Sequence, residues 1–141
     1  MKTAPLKTLG LALVASVALA SAASAEPVTF RFETGHDGGT IMLAVFDSAR
    51  AYGGGGQPVA AEMVRVGRGA TEITLDLPAG DYGMKAFHDL DGDGEMDTNP
   101  FGMPTEPYAF SNNAVGNMGP ASWDRAKFEV SGPTQQSIVI R

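Results

Sequence analysis

From Val28 onward, hydrophobic side chains recur at every second position in short runs that end in Gly, Pro, Asn or Asp. Val28-Thr29-Phe30-Arg31-Phe32-Glu33 sets Val28, Phe30 and Phe32 on one side and polar residues on the other. Successive side chains of a strand point to opposite faces, so this period marks a strand with one buried face. Glu72–Leu77 repeats the pattern, and Tyr82–His88 sets Tyr82, Met84 and Ala86 on one face. Ala126–Val130 and Gln135–Arg141 are further strands. Thr40–Phe46 is apolar on both faces, as a central strand would be, and Val59–Val66 is a weaker strand or a short helical turn. Gly53–Gly56 reads as a flexible hairpin loop; Pro78-Ala79-Gly80-Asp81 and Ser131-Gly132-Pro133 read as turns. Seven strand candidates at short spacing predict an all-β fold: a seven-stranded antiparallel Greek-key sandwich.

The N-terminal segment has another character. Lys2 and Lys7 precede an apolar run from Leu9 to Ala20, and Ala23-Ser24-Ala25 fits a small-x-small cleavage site. This predicts a secretory signal peptide at 1–25 and one mature domain at 26–141. The run is shorter than the ~20 apolar residues of a membrane span, so no stable membrane insertion is expected after cleavage. The expected location is the bacterial periplasm or the medium. The mature part keeps all 16 Asp and Glu but eight of the ten Lys and Arg, a net charge of −8. Such a charge opposes nucleic acid as a partner. The chain has no Cys, so neither a disulfide nor an acylated N-terminal Cys is available to it.

Asp89 to Asp124 holds no extended strand pattern. Loops this long are uncommon in compact domains and are commonly functional. Phe101, Tyr108, Phe110 and Trp123 make it too apolar for a linker, so it is expected to fold over one end or edge of the sandwich. It opens with Asp89-Leu90-Asp91-Gly92-Asp93-Gly94-Glu95-Met96-Asp97. Carboxylates at positions 1, 3, 5 and 9, with Gly at 6, follow the first three-quarters of an EF-hand loop. Ca²⁺ takes six to eight oxygen ligands at about 2.3–2.6 Å, and alternate residues of a curled loop can aim side chains at one centre. Gly94 allows the turn that brings the carbonyl of Glu95 to that centre. Asp89, Asp91, Asp93, Glu95 and Asp97 are therefore candidate ligands for a weak, structural Ca²⁺. Position 12 is Pro100 where an EF-hand supplies a bidentate Glu. Asn99 and Glu106 are the nearest candidates for an extra ligand or a loop brace. The competing reading is an ion-free acidic turn held by Asx hydrogen bonds.

Other chemistry is sparse. There is no Gly-x-Ser-x-Gly elbow and no phosphate loop, and His36 and His88 are the only histidines. His88 beside Asp89 sits on the opposite face of a strand. Six methionines in the mature part are scattered in sequence and read as core filling. The residues point to a non-enzymatic binding or structural module. Two alternatives stay open: a hydrolase using Asp89, Asp97 and Glu106 with His88, and a Met/His metal-handling protein.

His88-Asp89, Asp93-Gly94, Asp97-Thr98-Asn99, Gly102–Tyr108 and Phe110-Ser111-Asn112-Asn113 together resemble the bacterial exported family called domain of unknown function 2141. Gly39–Asp47 and Gly80-Asp81-Tyr82 share the resemblance. It implies an immunoglobulin-like or prealbumin-like sandwich, an exported location and no settled activity. Members often carry Asn at the places of Asp91 and Asp93. Pro100 and Ala109 are local departures. The resemblance also suggests that Glu106, His88, Tyr108, Ser111, Asn112 and Asn113 brace the acidic loop or line a binding surface for a protein or glycan. The plainer alternative makes Tyr108 and Phe110 core plugs and the Asn pair a turn.

Overall fold

A computed structural model describes residues 23–141. The expected signal peptide lies outside the described residues except for its last three, and the first strand opens at Ala25, beside the expected cleavage point. Among the described residues no helix is long and apolar enough to cross a membrane.

Eight strands form two sheets. They are β1 (Ala25–Thr34), β2 (Thr40–Phe46), β3 (Ala60–Arg65), β4 (Thr71–Pro78), β5 (Gly80–Asp89), β6 (Tyr108–Phe110), β7 (Phe128–Val130) and β8 (Thr134–Ile140). The smaller sheet runs β4-β1-β8 and the larger β3-β2-β5-β6, with β7 pairing the first residues of β5. The expected count of seven misses β6, three residues long and enclosed in the long loop. Pairing is antiparallel except between β1 and β8, which run parallel with Val28 beside Thr134. The segment at 59–66 resolves as a strand, β3, and the glycine run as a helical turn, Ala51–Gly55, that buries Tyr52. The expected flexible hairpin loop is thus anchored by one aromatic ring.

The core lies between the sheets. Val28, Phe30 and Phe32 of β1 are fully buried, as their alternation requires, and meet Ile41, Leu43 and Val45 of β2 and Met84 of β5. The Phe30 ring lies edge-on to Phe128 at 5.9 Å. Each such side chain contributes about 1.5–3 kcal/mol by leaving water. Tyr82 turns its ring inward and donates its hydroxyl to the Pro78 carbonyl at 2.7 Å, which fixes the β4–β5 turn.

A second apolar cluster, Tyr52, Phe110, Ala121 and Ala126, packs outside the larger sheet with Phe46 and Trp123 against it. Gly83 makes this possible. A Cβ there would lie 2.9 Å from the Tyr52 ring and 3.0 Å from Trp123, closer than packed carbons approach. Gly83→Ala is expected to destabilise the fold by about 1–3 kcal/mol through overpacking. The measurement is a urea unfolding curve, whose midpoint should fall at unchanged slope.

Candidate metal centre and the long loop

The acidic segment leaves the end of β5 as a tight curl. Asp89 is its pivot. Its side chain is buried, Oδ1 accepts the Gly92 amide at 2.8 Å, and Oδ2 accepts the Gly94 amide at 2.9 Å. Gly92 and Gly94 adopt φ values of 80° and 78°, where a side chain would be strained. The curl continues by Asx turns: Asp91 Oδ1 accepts the Asp93 amide and Asp93 Oδ1 the Glu95 amide. Burial works against ionisation of Asp89, but the Gly94 and Gly92 amides, with the Asp91 side chain and the Asp93 amide, outweigh it and hold its pKa below the usual value. Asp91 goes the other way. The Asp93 amide favours its charged form, yet burial, the Asp89 side chain and the charges of Asp93 and Asp97 together push its pKa up.

Carboxylate oxygens converge in two overlapping groups. Those of Asp89, Asp91 and Glu106 lie within 4.8 Å of one another, as do those of Asp91, Asp93 and Asp97. Asp91 is common to both. The Glu95 carboxylate joins neither group. Glu106 arrives from beyond a small hairpin at 97–105, closed by the Thr98–Pro104 bridge and the Thr105 amide on the Asp97 carbonyl. Its buried carboxylate accepts the Leu90 amide at 2.8 Å on Oε1 and the Asp97 amide at 3.3 Å on Oε2. Asn99 is a brace: its Oδ1 accepts the Phe101 and Met103 amides at the hairpin tip.

The downstream residues divide by role. His88 is fully buried on the face opposite Asp89, with Nδ1 at 2.8 Å from Thr34 Oγ1 and Nε2 at 2.7 Å from the Gly38 carbonyl. Both ring nitrogens are engaged, neither of them with a carboxylate. The His88–carboxylate pairing that a hydrolase would need is therefore not formed. Ser111 is also fully buried, its Oγ accepting the Met84 amide and donating to the Ala126 carbonyl. Asn112 and Asn113 take left-handed backbone, with φ of 60° and 50°. Asn112 Nδ2 donates to the carbonyls of Arg125, Ala126 and Lys127, while Asn113 binds Ser137 and Val139 of β8. His88, Ser111, Asn112 and Asn113, read from the resemblance as a possible surface, are committed to internal hydrogen bonds. Asn112 and Asn113 are nonetheless exposed, as is Tyr108 at 40%, while Phe110 is buried as a plug.

The methionines depart from the expected core filling. Met84 is in the core, but Met42, Met63, Met96, Met103 and Met118 line one pocket of about 820 Å³ on the outer face of the larger sheet. Spacing in sequence held no signal for this, because the long loop brings three of them there.

Comparison with curated proteins and with solved structures finds no match. A family model matches residues 33–138, which takes in β2 to β7 whole, most of β8, the end of β1 and the entire acidic loop. The chain belongs to that family, described as an uncharacterized protein conserved in bacteria (DUF2141).

Proposed function

We propose that this is an exported, non-enzymatic binding module in which Ca²⁺ sets the long loop and so shapes a binding face. The observation that carries this reading is the position of Glu106. The acidic curl lacks a closing carboxylate at Pro100, and Glu106 brings one back to Asp89 and Asp91 across the 97–105 hairpin. Asp89, Asp91, Asp93, Asp97 and Glu106 would be its side-chain ligands, with the Glu95 carbonyl. An ion there offsets the mutual repulsion of the carboxylates, and it ties both ends of the hairpin together. Export rests on the N-terminal segment. Recovery of the chain from the periplasm or medium, with a mass that starts at Glu26, is the expected result. Recovery from the cytoplasm with the segment intact would refute it.

Calorimetric titration of the mature chain should show one Ca²⁺ bound at about 10⁻⁴–10⁻³ M, with a rise in melting temperature that EDTA reverses. Absence of both at millimolar Ca²⁺ would sink the calcium reading. Protons compete for the same oxygens. Because the pKa of Asp91 is raised and that of Asp89 lowered, affinity should fall first as pH drops through the Asp91 value. A second loss should follow at lower pH, as Asp89 takes up its proton.

A further inference from the structure

The outer face of the larger sheet is built from residues that a solvated face does not use. Strand register sets Met63, Met42 and Phe87 side by side across β3, β2 and β5, with Tyr108 of β6 next to Phe87. Together they form the floor of the 820 Å³ pocket. The long loop supplies its walls: Met96, Met103 and Pro104 from one stretch, Met118 and Pro120 from another. Met63 and Met103 are 67% and 59% exposed. Apolar surface left in water costs about 25 cal/mol per Å², and contiguous patches of it mark binding sites. The volume falls within the ~300–1,000 Å³ typical of small-molecule pockets.

One cation stands in this pocket. Lys85 projects from β5 with its Nζ 2.6 Å from the Tyr52 carbonyl, 4.4 Å from the centroid of the Tyr52 ring and 5.4 Å from that of Phe46. Among the described residues no carboxylate lies within ion-pair distance of it. Glu62 also borders the pocket, but it is exposed on the edge strand β3 and forms no ion pair there. Burial lowers the pKa of Lys85, as expected of a cation without a counter-charge. Buried charges in proteins are ordinarily paired.

We propose that the pocket binds one long-chain monocarboxylate, its apolar chain lying on the methionine-rich floor and its carboxylate on Lys85. Unbranched, polarizable methionines adapt to a flexible chain. The loop walls suit a narrow chain better than the flat surface of a second copy, which would need about 800 Å² per partner. Thioethers select copper(I), but Lys85 in the same pocket repels a metal cation. The proposal rests on the binding-module reading, whose ligand it names, and does not depend on calcium.

The test is titration of the mature chain with cis-parinarate, followed by fluorescence, and with dodecanoate and its methyl ester by calorimetry. Saturable 1:1 binding of both acids is expected, with the ester at least tenfold weaker. Lys85→Met should bring acid and ester to within twofold of each other. Ala44→Trp, which fills the floor, should abolish binding of both while the melting curve confirms a folded chain. The acid-to-ester ratio on the unaltered protein stands even where a variant fails to fold. No saturation below the micelle concentration, or equal affinity for acid and ester, would overturn the proposal. So would self-association or copper(I) capture in place of acid binding. Each titration is run with Ca²⁺ and with EDTA. Acid binding in both supports the pocket whatever becomes of the calcium reading. A calcium-dependent melting shift without acid binding sinks the pocket alone.

Discussion

Ser111→Ala should destabilise the protein by roughly 2–5 kcal/mol, because it strands two buried main-chain groups at once. The Ser111 hydroxyl is the partner of both the Met84 amide and the Ala126 carbonyl, and it joins the larger sheet to the segment that carries Trp123 and β7. Alanine fits the space but offers neither lone pair nor proton. Water cannot substitute readily at a residue with no exposed surface. The expected reading is a fall in melting temperature on the order of 10 °C for a domain of this size, with far-UV circular dichroism otherwise intact. A fall of a degree or two would mean that the neighbouring backbone finds other partners.

Glu106 is the second residue whose loss should be felt widely, and two substitutions there separate its roles. Glu106→Ala removes the acceptor for the Leu90 and Asp97 amides. Hydrogen bonds to a charged group contribute about 1.5–3 kcal/mol each, and the longer of these two contributes less, so a loss of about 2–4 kcal/mol is expected. Amide hydrogen exchange should quicken at Leu90 and Asp97 while the core strands stay protected. Glu106→Gln keeps one acceptor oxygen and the side-chain shape but not the charge. It should retain much of the stability and lose the calcium-induced melting shift. If Gln binds Ca²⁺ as the unaltered protein does, Glu106 is a latch only and not a ligand.

Much of this architecture is legible in the order of residues, and what is not has identifiable causes. Alternation picks out β1, β4, β5, β7 and β8 because each buries one face, and Val28, Phe30 and Phe32 go where the period sends them. β6 escapes because three residues cannot display a period, and Pro107 before it suggests a break. Thr40–Phe46 is correctly read as central. Its second apolar face is not covered by another layer, however, and opens on the pocket. Polar patterning has the same limit. The curl at 89–97 is visible because its ligand candidates are local, whereas the return of Glu106 depends on the hairpin between them. The Asn112-Asn113 pair is legible as a turn. That its side chains tie β8 to the chain around Ala126 follows from tertiary structure alone.

The parallel pairing of β1 with β8 carries a temporal consequence. The first strand of the domain is the middle strand of its sheet, and one of its two neighbours is the domain's last strand in chain order. Contacts between the ends of a chain form slowly, because a large loop must close first. A growing chain can pair β1 with β4, yet it lacks one edge of that sheet, with Ile138 and Ile140, until β8 has emerged. Completion of this sheet is thereby deferred until β8, the last strand of the domain in chain order, has been made.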